Sequence, residues 1–549
     1  MLISPAIVLY TCILRLKEYT MRFSTLTSAI LLPSCFLSPV YAGQTNLADD
    51  IKGLKLSLDA RVFLRGEAGY LERTKRWQYW KAPDIAAVVE VATTDDVVET
   101  VRFANTHAIP FIAFSGGHGG ISSLAGVKNG IQVHMRRLNS IKVSQDGTYA
   151  TIGGGAKGKE VRNALWEIGK WTVHGVCECV GLTAVALGGG HGLLQGRYGL
   201  LSDQIISLEM ILANGTAIQV SSSSNPDLFW AVQGAGHSFG IVTSINYRIY
   251  DIPDSEEEGR IWSYEVLVWE ATAANVKSVY GVAKELLEIG TQPDGLLMYG
   301  VLGMDPGGSG KVVIMHHIVY SGPLTALSRF TAPYHALNIT LLSSTSEEGT
   351  YLDVPRFIRV DESGIPCRMS DVVPGAGVLR FPVDVHTYNL DALAEMTKKF
   401  IDLIHSREDF AGSFVMVEQY PTRAVRAADR SKSAIPWRDN VLLIAPALLY
   451  PALDMTSTPP KPNDELAELA LRSGEQLRRI LVDGAKHTGG HFSYVNYAYG
   501  GEHEKEVYGE ENIEKLKKLK KIYDPNGRFK FYAPIGNGQK DNVRERDEL

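Results

Sequence analysis

The chain has 549 residues, 45% of them hydrophobic and 21% charged, an ordinary composition for a folded protein with more than one large domain. Its 55 Lys and Arg against 61 Asp and Glu leave a net charge of −6, which excludes a nucleic-acid binder that works by bulk positive charge. The balance is silent on a small substrate.

The N-terminus reads as a targeting segment. Residues 6–14 are apolar, and from Met21 a short basic start, Met21-Arg22-Phe23, precedes an apolar run over 26–37 and the small-residue cleavage signal Val40-Tyr41-Ala42. Pro33, Ser34 and Pro39 interrupt this run, so a stable membrane span is not expected. Residues 1–42 are expected as a signal peptide that starts at Met1 or Met21, leaving Cys177, Cys179 and Cys367 in the mature chain. Three cysteines are not a disulfide framework, and an odd number leaves at least one for another purpose.

Residues 43–252 alternate helix and strand patterns. A polar start and apolar residues at Val97, Val101 and Ala104 predict a capped amphipathic helix over 94–106. Strands are predicted at 111–114, 131–135, 149–152 and 241–249, and a helix at 156–168. Runs at 205–213 and 216–220 flank Asn214-Gly215, a favoured hairpin turn. Residues 253–488 differ in character. Strand runs at 261–268, 296–304, 311–319, 414–418 and 441–448, with helices at 275–287 and 390–406, predict an antiparallel sheet backed by helices. Residues 489–535 hold a helix over 501–519 and a stop at Tyr523-Asp524-Pro525-Asn526. A polar tail, 536–549, ends in Arg546-Asp547-Glu548-Leu549, one conservative change from an ER-retrieval tetrapeptide. The expected destination is the secretory pathway, either secretion or the ER lumen. Of two glycosylation sequons, at Asn214 and Asn338, the first sits in a tight turn and Asn338 is the better acceptor. The whole reads as an α+β fold.

Two glycine-rich runs carry the chemistry. Ser115-Gly116-Gly117-His118-Gly119-Gly120 sets a histidine among residues without side chains, which suits close approach to a ligand. Gly175-Val176-Cys177-Glu178-Cys179-Val180-Gly181 does the same for a thiol and leads into Gly188-Gly189-Gly190-His191-Gly192. Cys177-Glu178-Cys179 is too tight for the usual zinc or redox spacings, so no metal is expected. The second run departs from the strand-Gly-x-Gly-x-x-Gly-helix order of a dinucleotide Rossmann unit, which excludes that reading.

Together with Gly188 to Asp203, Asn225-Pro226-Asp227-Leu228-Phe229-Trp230, Phe239-Gly240-Ile241-Val242-Thr243 and Tyr494-Val495-Asn496-Tyr497, these runs resemble the berberine-bridge-enzyme-like oxidases. That family belongs to the vanillyl-alcohol-oxidase group. The motifs span about 80–250 and 490–535. Phe114 stands where the family often has arginine and Trp437 where it often has histidine, and the N-terminal disulfide of plant members has no cysteines here, which points to a fungal-type branch.

The resemblance implies a two-part PCMH-type FAD-binding domain and a separate substrate domain. It implies FAD bonded at its 8α-methyl carbon to His118 and at C6 to Cys177, with Cys179 as the rival thiol. Ser115, Gly116, Gly117 and Gly119 would cradle the pyrophosphate. Gly181, Gly189, Gly190, Gly192, Tyr198, Gly240, Val242 and Asn496 would be further cofactor contacts. Val180 stands where the family uses valine to admit oxygen. Tyr494 would be the catalytic base, with Tyr497 as the close alternative, although a phenol needs help to ionise near neutrality. Glu418 is a third candidate, or else a solvent-facing strand residue; His191 lines the pocket or is structural. The implied activity is an FAD-dependent oxidase that takes hydride from a small-molecule alcohol, expected to be a secondary-metabolite intermediate, and is reoxidised by O2 to H2O2. An oligosaccharide oxidase and a flavin-dependent oxidative cyclase are the alternatives.

Overall fold

The computed structural model describes residues 50–536, apart from 256–258, 291, 441 and 459. The expected signal peptide and the final tetrapeptide lie outside the described residues.

The first sheet has four strands, in the spatial order Arg61–Leu64, Ile85–Glu90, Gly130–His134 and Phe111–Phe114. The last three run parallel, as crossover connections require. The helix Thr94–Thr106 is one of these connections. Thr93 caps it: its hydroxyl accepts from the Asp96 N–H, and the Asp96 carboxylate accepts from the Thr93 N–H. Val97, Val101 and Ala104 are fully buried against the sheet, as their spacing predicts.

A second sheet is antiparallel, in the order Ile141–Val143, Tyr149–Gly153, Ile241–Arg248, Ile205–Ile211 and Ala217–Ser221. The last two strands form the Asn214-Gly215 hairpin. Phe239, Ile245 and Tyr247 join one apolar core with the helices Gly158–Trp166 and Pro226–Ala235.

The third sheet is large and antiparallel. Its central strands are Ile261–Glu270, Val312–Tyr320, Leu296–Met304, Phe414–Gln419 and Leu442–Pro451, in that order. Three helices, Ala273–Ile289, Leu390–Ser406 and Asp464–Ala485, cover one face. The sequence reading passed over the third of these. It also passed over the edge strand Ser343–Thr350, whose first six residues are exposed and carry no apolar alternation. The helix expected over 501–519 is two helices, Glu504–Tyr508 and Glu510–Tyr523, parted at Gly509 with φ +80°. Residues after 489 pack back into the first core through Val495, Ala498, Ile513 and Leu516. No helix among the described residues is long and apolar enough to cross a membrane.

Candidate active site

A cavity of about 370 Å³ lies between the glycine-rich loops and the open face of the large sheet, within the range of small-molecule sites. The strand Phe111–Phe114 delivers the His118 loop to it. Gly116 packs backbone against backbone here: a Cβ would stand 2.8 Å from the Cys179 carbonyl and 2.9 Å from the Gly181 nitrogen. Gly117 has φ +73°, a conformation glycine adopts freely. The His118 ring stacks on Trp77 at 5.8 Å, and its Nε2 lies 3.2 Å from Cys179 Sγ. Burial, with Arg380, Lys157 and Arg76 nearby, drives the imidazole down to a pKa of about 3. His118 is therefore a neutral nucleophile at physiological pH.

The 175–181 loop is held by Glu178. Its carboxylate accepts from Arg162 at 2.7 Å and from the Glu362 N–H at 2.9 Å, and its own N–H donates to the Val360 carbonyl at 3.1 Å. Cys179 is joined to Cys367 in a disulfide, 188 residues away along the chain. Of the three cysteines expected in the mature chain two pair, and Cys177 is the one left free, as an odd number requires. The rival cysteine is thereby occupied. Burial pushes the Cys177 thiol up to about 12.

The opposite wall is the strand Phe414–Gln419. Phe414, Met416 and Glu418 alternate onto the cavity, whereas Val415 and Val417 face the covering helices. Glu418 is 2% exposed, so the solvent-facing alternative is overturned. Tyr497 donates to one of its oxygens at 3.0 Å and Tyr420 to the other at 2.8 Å. Burial raises Glu418 to about 6, against the lowering pull of both phenols and Arg380. Tyr494 accepts from Asn496 Nδ2 at 2.9 Å and from the His191 N–H at 3.3 Å. Burial holds the Tyr494 and Tyr497 phenols well above their ordinary range. They are hydrogen-bond donors near neutrality, and Glu418 is the group that titrates there.

The cavity wall thus brings together Ser115, Gly116, Gly117, His118, Gly119, Cys177, Val180, Gly181, Gly240, Val242, Glu418, Tyr494, Asn496 and Tyr497. Gly189, Gly190, Gly192 and Tyr198 do not line this cavity. Gly189 and Gly190 have φ +94° and +83°, and a Cβ on Gly192 would lie 2.4 Å from the His174 carbonyl. These glycines build the turn that presents His191, which does line the cavity and stacks on Tyr420 at 5.0 Å. Tyr198 stacks on Tyr250 instead, at 3.7 Å.

Sequence reasoning passed over Arg380, whose guanidinium lies 4.5 Å over the Tyr497 ring and 4.9 Å over the Trp77 ring. A lone cation in the apolar run Gly377-Val378-Leu379-Arg380-Phe381 is a signal that could have found it. Arg76, Trp77, Thr183 and His237 also line the cavity and carry no such signal.

Several buried polar atoms of this wall find no hydrogen-bond partner among the described residues: Ser115 Oγ, Thr183 Oγ1, Arg76 Nε, Trp77 Nε1 and His237 Nδ1. Such a set suits a ligand with many acceptors, as a dinucleotide with its phosphates and ring carbonyls has. Residues 85–221 match the family described as FAD binding domain, and residues 493–536 the family described as berberine and berberine like. The FAD-linked oxidoreductase chyH of Penicillium rubens is 37% identical over 485 residues, covering 88% of this chain and 92% of its own. The chain belongs to the berberine-like FAD-linked oxidoreductases.

A second relative of this berberine-like chain, the FAD-linked oxidoreductase chry5 of Gibberella zeae, is 35% identical over 91% of this chain and 98% of its own. Among solved structures, xylooligosaccharide oxidase from Myceliophthora thermophila C1 superposes with a TM-score of 0.71 at 22% identity, covering 89% of this chain and 98% of that one. The shared fold is the PCMH-type FAD-binding architecture, and FAD is the cofactor of this oxidoreductase.

Proposed function

We propose that this FAD-linked oxidoreductase is an oxidase that takes a hydride from a CH–OH group of a small secondary-metabolite intermediate, its FAD tethered through His118 and Cys177. FAD held there would supply the hydride acceptor and the two-electron route to O2 that gives hydrogen peroxide. The observation that carries the reading is one cavity lined by a neutral histidine, a free cysteine and a carboxylate that titrates near 6. Tyr299 links the two walls, within electrostatic reach of both Cys177 and Glu418.

Glu418 receives the alcohol proton as the hydride departs. Its basicity is suited to this: ionised at neutral pH, and more basic than an exposed carboxylate. Tyr497 and Tyr420 fix its two oxygens, and Arg380 favours its ionised form. Tyr494, its oxygen already accepting two hydrogen bonds, keeps its proton to offer to the substrate oxygen or the cofactor. Leu297, Ile358, Val360, Phe414 and Met416 make much of the wall apolar, which supports a hydrophobic substrate.

The tyrosine faces of the same wall favour a second reading, an oligosaccharide oxidase that stacks sugar rings on Tyr299, Tyr420 and Tyr497. The disulfide supports folding in an oxidising compartment, as the secretory reading requires, and Asn338 is exposed for a glycan. The test is the spectrum of the acid-precipitated protein, followed by peroxide release on panels of apolar alcohols and of oligosaccharides. Colour retained in the washed pellet and peroxide from the alcohols support the proposal. A colourless pellet removes the covalent attachment, and peroxide from sugars alone moves the substrate class. Less than one peroxide per product would point to a cyclisation outside this scheme.

A further inference from the structure

Three sulfurs meet beside the cavity, whose wall includes Cys177. Cys177 Sγ lies 3.5 Å from Cys179 Sγ and 3.7 Å from Cys367 Sγ, while Cys179 and Cys367 are bonded to each other. Contacts other than that bond also hold them together. Glu178, between the two loop cysteines, is fastened to Arg162, to the Val360 carbonyl and to the Glu362 N–H. Those contacts lock the 175–181 loop onto the segment that runs into the helix Ile365–Val372, where Cys367 sits. Cys367 therefore stays beside both loop cysteines whichever one it is joined to.

We propose that these residues form a thiol–disulfide exchange site, in which Cys367 pairs with either Cys179 or Cys177 and so decides which of the two stays free for the cofactor. The inference rests on the reading of Cys177 as a flavin tether. In the exchange, Cys177 gives up its proton and, once its side chain has turned from its side-on position into line with the Cys179–Cys367 bond, its sulfur attacks Cys367 Sγ. The Cys177–Cys367 bond forms as the Cys179–Cys367 bond breaks, and the electron pair leaves on Cys179, which takes up the proton. One disulfide and one thiol are present before and after, so no outside oxidant or reductant is needed. His118 Nε2, 3.2 Å from Cys179 Sγ, is placed to hydrogen-bond the departing thiolate. Because the thiolate is the attacking species, burial of the Cys177 thiol makes exchange slow at neutral pH. A carbon–sulfur bond from Cys177 to the flavin ends the exchange and locks Cys179 to Cys367.

The test is peptide mapping by mass spectrometry of the full-length protein, alkylated in denaturant without reductant. Wild type is compared with Cys367→Ser and with Cys179→Ser and Cys179→Ala, the last leaving no polar group at this buried position. Wild type should give the Cys179–Cys367 cross-link with flavin mass on the Cys177 peptide. Either Cys179 variant, produced through an oxidising compartment that supplies the two-electron oxidant for joining two thiols, should give a Cys177–Cys367 cross-link and lose its cysteine-linked flavin, keeping only the histidine-linked form. Cys367→Ser should keep flavin on Cys177 and show Cys179 alkylated. Flavin or alkyl label on Cys177 in the Cys179 variants, with Cys367 alkylated, overturns the exchange site while leaving the tether intact. A Cys177–Cys367 cross-link in those variants, with no flavin on Cys177 in wild type, overturns the tether while leaving the exchange site intact.

Discussion

Tyr497 and Arg380 form a stacked pair: the guanidinium lies 4.5 Å over the phenol ring, and the phenol hydroxyl donates to Glu418 at 3.0 Å. The cation and the hydrogen bond both favour an ionised carboxylate in a site whose burial opposes it. The outcome, a pKa of about 6, is the balance of these effects.

Glu418→Gln removes the proposed base. Reduction of the flavin by substrate should slow by about 10²–10⁴-fold. The wild-type profile of kcat/KM against pH should rise through an acid limb near 6, which the variant lacks. Tyr497→Phe deletes a donor to the charged form, so the limb should move to higher pH. Stopped-flow reduction between pH 5 and 9 measures both; an unchanged rate in Glu418→Gln would place the base elsewhere.

The two tethers should be separable. Cys177→Ala and His118→Ala should each leave a yellow acid-precipitated pellet, and the double variant a colourless pellet under a yellow supernatant. Colour in the pellet of the double variant would require a third attachment point.

Arg162 and Glu178 are 4% and 7% exposed in their side chains and 2.7 Å apart. Glu178→Ala strands a buried guanidinium and also frees the Glu362 N–H, so it should cost about 3–5 kcal/mol in urea unfolding. Arg162→Met with Glu178→Leu should recover most of that loss, because an apolar pair of similar volume carries no desolvation cost. A Glu178→Ala protein as stable as wild type would mean that Arg162 finds water.

Acid should destabilise this protein well above the range where carboxylates titrate. Burial lowers His118, His316 and His317 to about 3 and His134, His174, His191 and His237 to about 4. Below pH 6.5 the unfolded chain binds protons that the folded chain refuses. Stability is therefore whole above 6.5 and is lost as pH falls, by up to about 1.4 kcal/mol per pH unit for each histidine. Glu418, raised from 4.5 to about 6, and Asp384 and Glu502, both raised by burial, act in the opposite sense, but as three groups against seven. The Tm should fall steeply from pH 6.5 to 4; a flat Tm there would show that these rings gain water or protons in the native state.

Much of the secondary structure was legible because its causes are local. Phe111–Phe114 and Leu390–Ser406 have the bounds their apolar spacing predicts. The helix Asp464–Ala485 was legible too, with Asn463 as cap and Leu466, Ala470, Leu477 and Leu481 on one face, and it was passed over. Ser343–Thr350 was not legible: a polar edge strand is made by its neighbour Ile261–Glu270, not by its own residues. The glycine run at 188–192 has a packing cause of its own. Close packing against Trp437, Leu201 and the His174 carbonyl demands glycine as strongly as a bound cofactor would.

By itself, the sequence determined the family and the FAD cofactor, through a resemblance carried by short contiguous motifs such as the glycine-flanked runs around His118 and Cys177. Only the tertiary structure decided which cysteine is free, which face of Phe414–Gln419 is covered, and that Arg380 stands over Tyr497. These depend on residues far apart in the chain, 188 positions for the disulfide. Burial and charge proximity, which set the reactivity of Glu418 and Cys177, belong to the packed molecule and leave no local trace in the order of residues.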